Sequence, residues 1–490
     1  MSVTTELVIK AGLGALVAAL IATRVDARRH GRVVFGVLAV VSAAAFFNFG
    51  AFHGARYAHH GELFHYVLGS KYFAELGYDG LYAASLEASG NAPISRPAPV
   101  RDLRSYQRVD RSSLQDHRQQ VRGRFSDSRW NEFVGDHGYL VENSEPAYVD
   151  AWRKDHGYNA TPAWTTLARV FNWFPVSRGA ILFWTLLDPL LLAVMFWALW
   201  RTFGFVPTAL SLCVFGLAYL SRFYWVGGAF LRHDWLCASV VGVCLLERKR
   251  PGWAGLCFGY AAAMRVFPAL LLFGIFVHAL ARWKRGDRNP WPLWLGASFA
   301  CTVAGLVLAG ALAGRGFDAW SEFASAIELH RSHWSRNRVG SFTSLMYAYD
   351  FVTRPASEWG TVVSADAWQA KVDAFRANWW PLRGVVTVAW LAGVARVAWT
   401  RPRVECAALG LVSIFALTEP TSYYWSLLLL IPFVGRRWLT VMTLAVSSLL
   451  CAVGAATGMS FVYAVAAYAL FALFALWLMT RTANGDVVSP

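Results

Sequence analysis

Four positions in the chain carry an ionised side chain where one needs a reason. Glu62 lies in HGARYAHHGELFHYVLGSKYFAELGYDGLY (His53–Tyr82), a few residues beyond the end of an apolar run. A carboxylate there stands where hydrocarbon meets water and could take a proton from a hydroxyl; the bland alternative is a solvated interfacial glutamate. On a helix Glu62, Tyr66, Gly69 and Phe73 share one face, with Gly69 leaving room for a ligand or a second helix. His65, Tyr66 and Lys71 are candidate substrate contacts in the same stretch. His53, His59, His60 and His65 flank the glutamate and offer metal-ligand chemistry, but adjacent His59 and His60 point to different helix faces and no HExxH pattern is present. We read these histidines as hydrogen-bonding groups and expect no metal and no cofactor.

The other three positions are arginines. GGAFLRHDW (Gly227–Trp235) places Arg232 and Asp234 at the start of an apolar run, as an ion pair ordering a helix end or as an arginine for an anionic headgroup. Arg265 in GYAAAMRVFPALLLF lies far from the polar loops on either side, at a depth of about 20 Å. An arginine that deep projects into a polar cavity or holds a phosphate. Arg338 closes a basic cluster with His330, Arg331, His333 and Arg336. That cluster suits a phosphate or pyrophosphate, or is a solvated rim. Glu419 and Tyr423 in LTEPTSYYW (Leu417–Trp425) could face the same space, or mark a turn at Pro420.

The elements that must position these residues are set by composition. Of 490 residues, 56% are hydrophobic and only 15% charged, and the mean hydropathy is +0.39. Globular chains carry roughly 25% charge, so a soluble enzyme, a disordered chain and a secreted disulfide scaffold are excluded. The seven cysteines all fall in or beside apolar runs, which argues against a disulfide framework or thiolate metal site. The net charge of +15 sits largely in short clusters between apolar runs (Arg24–Arg32, Arg248–Arg250, Arg282–Arg288, Arg401–Arg403, Arg436–Arg437), as the positive-inside rule expects of cytoplasmic loops. Nucleic acid is not needed to explain it.

The fold expected is an all-α polytopic membrane bundle of about 11 transmembrane helices, since a span needs about 20 apolar residues. The spans predicted are Leu7–Ala22, Val33–Ala51, Gly179–Trp200, Phe205–Leu220, Trp225–Leu246, Trp291–Ala313, Gly384–Trp399, Val404–Leu417, Tyr424–Val434, Leu439–Ala456 and Phe461–Met479. The first is read as a retained helix, because Glu6 stands where a signal peptide would carry basic residues. Trp253–Ala281 has basic clusters at both ends, and Pro268 interrupts it; a re-entrant hairpin keeps both clusters on one side. Two long extracytoplasmic loops follow, 53–178 and 314–381. The first has an Arg-rich middle, Arg96–Arg129, without apolar periodicity, which reads as a flexible or surface insertion.

Three segments resemble the GT-C superfamily of integral-membrane glycosyltransferases, in particular glycosyltransferase family 87. GELFHYVLGSKYFAELGYDGLY is similar to that family's first-loop pattern of an acidic residue, aromatics and a downstream G…LY. AGLCFGYAAAMRVFPALLLFG resembles its hairpin with a basic residue before proline, and SYYWSLLLLIPF resembles its late aromatic helix start. The resemblance implies inverting sugar transfer at the extracytoplasmic face of a bacterial inner membrane, from a polyprenyl-phosphate donor to a lipid or glycan acceptor. It implies Glu62 as the catalytic carboxylate, where Asp is commoner, and maps the hairpin's basic position and proline to Arg265 and Pro268. Location adds Arg232, Asp234, His330, Arg331, Arg338 and Tyr423 as substrate contacts. A transporter or lipid-linked-glycan flippase is the alternative, and would carry inverted repeats; none is visible.

Overall fold

The computed structural model describes residues 1–54, 56–90, 99–355, 357 and 364–479, and among them the protein is all-helical apart from one short strand pair, Val100–Arg101 with Arg108–Val109. Seven helices are long and apolar enough to cross a membrane: Val3–Ala22, Arg178–Phe203, Phe267–Lys284, Trp291–Ala313, Asp366–Ala398, Arg437–Thr457 and Phe461–Met479. Shorter helices, among them Gly31–Phe46, Phe205–Leu217, Asp234–Glu247, Pro251–Arg265, Arg403–Leu417 and Ser422–Phe433, pack with them. The protein is therefore a multi-pass membrane bundle. Its outer faces carry exposed Val, Leu and Trp side chains, such as Leu190, Trp197, Leu293 and Val388, as a surface solvated by lipid must.

Two of the expected spans take an unexpected form. The apolar run from Trp225 becomes helical as a span only at Asp234, because Gly227–His233 is irregular. Ser422–Phe433 is a 3-10 helix, whose rise of about 2 Å per residue carries a short run further than an α-helix would.

The helical segment around Arg265 is broken in the middle. Pro251–Arg265 is helical, Val266 breaks it with φ +53°, a 3-10 turn covers Phe267–Leu271, and a helix resumes at Leu272. Gly255 and Gly259 lie against the backbone of Leu295 and Phe299 in the same chain direction, with room for no side chain: a Cβ would fall 2.4 Å from the Leu295 carbonyl and 2.8 Å from that of Phe299. After the break Gly274 packs on Cys406 and Leu271 on Gly410, now antiparallel. His278 reaches the ring of Trp291, where the next helix starts.

The Arg-rich middle of the first loop differs from expectation. Arg96 lies outside the described residues, but 99–129 is a packed unit in which Val100, Leu103, Tyr106, Leu114, Val121 and Phe125 are buried. Its apolar residues are spread over a strand pair, a 3-10 turn and the helix Gln115–Arg122, so no single period shows. In the second loop, residues from Ala365 onward already belong to the long helix that enters the bundle; 358–363 lie outside the described residues.

Candidate functional site

Between the two loops and the end of the bundle lies one cavity of about 1600 Å³. Glu62, His65, Tyr66, Arg232, Arg265, His330, Arg331, Arg338 and Tyr423 all line it, with Asp155, His156 and Asn159. Val266, Ala269, Leu270 and Leu417 give it an apolar side.

Glu62 is carried on a short helix, His60–Leu63, capped by His59, whose Nδ1 accepts the Glu62 N–H at 3.2 Å. The helix then widens into a π-turn, Phe64–Leu68, a form often found at functional sites. The face drawn from sequence divides here. Glu62 and Tyr66 line the cavity, whereas Gly69 backs onto Tyr158, where a Cβ would lie 2.5 Å from the ring. Gly69 therefore admits a protein ring and not a ligand.

Arg232 is held by a residue the sequence reading passed over. Asp188, inside the Arg178–Phe203 helix, accepts the backbone N–H of Arg232 at 3.0 Å and that of His233 at 3.2 Å, and pairs with the His233 ring at 2.9 Å. An acidic residue in an apolar span was the available signal. Gly228 allows the same loop to approach the first loop: its φ is +65°, a Cβ would lie 1.9 Å from the Tyr57 carbonyl, and its own carbonyl accepts the His59 N–H at 2.9 Å.

The resulting electrostatics are concentrated. The Glu62 carboxylate lies 2.8 Å from Nε of Arg232, out of line for a hydrogen bond, so neither atom has a hydrogen-bond partner. Arg232 Nη2 donates to Tyr423 at 2.9 Å. Its guanidinium also lies over the Tyr66 ring, 4.0 Å from the centroid, with Arg265 5.9 Å from the same ring. Nη1 of Arg232 and both Nε and Nη2 of Arg265 are buried without a partner. Unsatisfied guanidinium N–H groups are costly to bury, and here they converge on a cavity wall. Leu231 and Val266, the neighbours of these two arginines, have φ of +49° and +53°. Such strain costs about 1–3 kcal/mol per residue and clusters at functional sites. Burial pushes the Glu62 carboxyl above its ordinary value, against the pull of Arg232.

Other expected contacts have structural roles. Lys71 does not line the cavity; its ammonium pairs with Asp136 at 2.7 Å and Glu132 at 2.8 Å. Asp234 also lies off the cavity and does not pair with Arg232. It accepts its helix's Trp235 N–H at 2.7 Å and the Tyr260 hydroxyl at 3.0 Å. His65 bonds the Gly61 carbonyl at 2.7 Å and Tyr82 at 2.8 Å. Arg338 spends its guanidinium on the carbonyls of Arg331 and His330, at 3.1 and 2.5 Å, closing the Asp318–Ser332 helix. Arg331 is an exposed rim residue, 3.8 Å from Glu328. Glu419 caps the Ser341–Thr353 helix through Phe342 N–H at 2.8 Å and the Thr343 hydroxyl. The basic cluster is thus mostly helix-end bonding.

The histidines are occupied individually. His53 bonds the Gly227 carbonyl and His60 bonds Ser144, each at 2.8 Å. Burial lowers both His53 and His59 to about 4. Among the described residues no cluster of three or more His, Cys, Asp or Glu is arranged to hold a metal.

No family model, curated protein or solved structure matches the chain. What stands from sequence and fold is an all-α, multi-pass membrane protein with a charged cavity at one end of its bundle.

Proposed function

We propose that the protein is an integral-membrane glycosyltransferase that moves a sugar from a polyprenyl-phosphate carrier to a lipid or glycan acceptor at the extracytoplasmic face of a bacterial inner membrane. The observation that carries the reading is the pairing of the Glu62 carboxylate with Arg232 on a cavity wall that Arg265 shares, both arginines having N–H groups without partners. The resemblance of the three sequence segments to the GT-C glycosyltransferases agrees with it. The broken segment Pro251–Lys284 is then a re-entrant hairpin, with Arg265 at its tip and the apolar Val266–Leu270 side of the cavity open to a polyprenyl tail.

In this reading the acceptor hydroxyl oxygen attacks the anomeric carbon from the face opposite the phosphate. Its proton passes to Glu62, the bond from that carbon to the phosphate oxygen breaks, and the electron pair leaves on the polyprenyl phosphate. Configuration inverts. Arg232 and Arg265 take up the charge that develops on the leaving phosphate, in a site where low dielectric strengthens each contact. A carboxyl held high by burial is a stronger base once ionised.

The test is transfer from a polyprenyl-phosphate sugar by purified protein in nanodiscs. Glu62→Gln keeps shape and loses basicity, so turnover should fall about 100-fold or more while the donor still binds. Wild-type turnover in Glu62→Gln would sink the assignment of the base.

A further inference from the structure

Part of the cavity lining has a different character from the Arg232 and Arg265 wall, and we infer that it is a saccharide subsite for the acceptor, built on Asp155 and the rings of His156 and His330. The inference rests on the glycosyl-transfer reading for the word acceptor, though not for the saccharide.

Asp155 is exposed to the cavity and, among the described residues, has no ion-pair partner. It is nevertheless fixed in place. Arg101 donates from Nε to the carbonyls of Asp155 and Lys154, at 2.8 and 3.2 Å, and from Nη1 to that of Tyr106 at 2.7 Å. A carboxylate that takes its neighbour His156's N–H and has no ion-pair partner, on a braced backbone, accepts further hydrogen bonds from a ligand without first having to be ordered. Next to it the His156 ring lines the cavity, and its Nδ1 is buried without a partner. The His330 ring meets it edge to face at 4.9 Å.

Both rings are set by Tyr106. Its hydroxyl donates to the His156 carbonyl at 3.0 Å and meets His330 Nδ1 at 2.6 Å, and its ring stacks on His156 at 5.7 Å. Tyr106 holds φ of +65°, an outlier for a bulky residue, in the turn of the strand pair Val100–Val109. The Arg-rich insertion of the first loop thus joins the first loop to the second at this wall. Burial lowers His156 to about 4 and His330 also falls, so near neutral pH both rings are uncharged.

The two walls sort ligands by charge. A phosphate is drawn to Arg232 and Arg265 and repelled by Asp155. A neutral polyhydroxyl suits a carboxylate that can accept from two neighbouring hydroxyls, beside apolar ring faces for the sugar's C–H groups and a ring nitrogen for a third hydroxyl. Glu62, which shares the cavity, is the group on which the two ligands would converge.

The experiment is saturation-transfer NMR on the full chain in nanodiscs, with soluble trisaccharides of mannose, glucose, arabinose and N-acetylglucosamine as probes, each with and without sugar-free polyprenyl phosphate. At least one trisaccharide should bind wild type in both conditions. Asp155→Asn and His156→Ala should each weaken it about ten-fold, while Arg265→Ala leaves it in place. Loss in both variants with an unchanged elution profile supports the subsite. Absence of binding by every probe, binding indifferent to both variants, or displacement of the trisaccharide by polyprenyl phosphate alone overturns it. Transfer activity measured on the same preparations separates the two ideas: a trisaccharide held by Asp155 in a protein without transfer removes the enzyme and keeps the subsite.

Discussion

The carboxylate of Glu62 lies 2.8 Å from the guanidinium of Arg232, and the two side chains are 15% and 2% exposed. Each holds the other's reactive form in check. Arg232 opposes the rise that burial imposes on the Glu62 carboxyl, and Glu62 lies beside the Nε edge of an arginine whose Nη1 has no hydrogen-bond partner. A phosphate arriving at Arg232 would compete with Glu62, so that donor binding and release of the base are linked events.

That link fixes the direction of a pH effect. Glu62 is held above the ordinary carboxylate value by burial, and Arg232 opposes the rise. A base works only when ionised, so activity should fall as pH drops through this raised value, earlier than for a solvated glutamate. Arg232→Gln removes the opposing charge and should move the acid limb of kcat/KM to higher pH. A limb that stays in place, or moves down, would show that another group is the base.

On the proposed function, Arg265 binds the donor and Arg338 has a structural role. Arg265 has Nε and Nη2 free at the cavity, whereas Arg338 bonds two carbonyls. Arg265→Lys keeps the charge but loses the bidentate fork, and donor binding, followed by fluorescence of a labelled polyprenyl phosphate, should weaken about ten-fold. Arg338→Lys should instead lower the unfolding temperature and leave donor affinity within about two-fold, since a surviving protein keeps the free arginines.

The partners that separate these two arginines were not legible in the sequence, where Arg265 stands in an apolar run and Arg338 in a basic cluster. What could be read was depth. Arg265 and Arg232 lie in or at apolar runs, and the cost of burying a charge marks them without knowledge of partners. Lys71 and Asp234 fail on distant partners, since Phe174, Asp136 and Tyr260 lie 26 to 103 residues away in sequence, whereas Arg338 fails on local ones, the carbonyls of Arg331 and His330. Asp155 had no local signal, because its exposure is created by the fold of a loop 93 residues downstream of Glu62, closed by Tyr106 and His330. The membrane class, by contrast, follows from composition alone, since continuous apolar runs have only one stable setting.

In the re-entrant reading proposed for Pro251–Lys284, Arg248 and Arg285 lie on one side of the membrane. Arg248 donates to the Arg201 carbonyl at 2.6 Å and Arg285 to that of Trp399, so each basic loop closes on the end of another helix. Cysteines introduced at Arg248 and Arg285 should both resist a membrane-impermeant maleimide in intact cells, while one at exposed Gln119 of the first loop reacts. Labelling of only one of the two basic positions would mean that the segment crosses the membrane.

Asp188 tests whether the site is assembled before any ligand binds. Its carboxylate takes the N–H groups of Arg232 and His233 and the His233 ring, and it is 2% exposed. Nothing polar replaces it inside an apolar helix, so Asp188→Ala leaves two buried N–H groups and a histidine unpaired. Breaking such a buried set costs about 3–5 kcal/mol, and a thermal unfolding scan in detergent should show a clear drop. Asp188→Asn retains an oxygen for the backbone N–H groups and loses the charge, so it should recover part of that stability. Because Leu231, with φ of +49°, is held in place beside Arg232, the strain would relax first at this loop. Donor affinity should therefore fall in Asp188→Asn by more than its stability loss suggests, even though Asp188 does not line the cavity. If Asp188→Asn unfolded earlier but bound the labelled polyprenyl phosphate as wild type does, Asp188 would serve the bundle alone and Arg232 would owe its position to Glu62 and Tyr423.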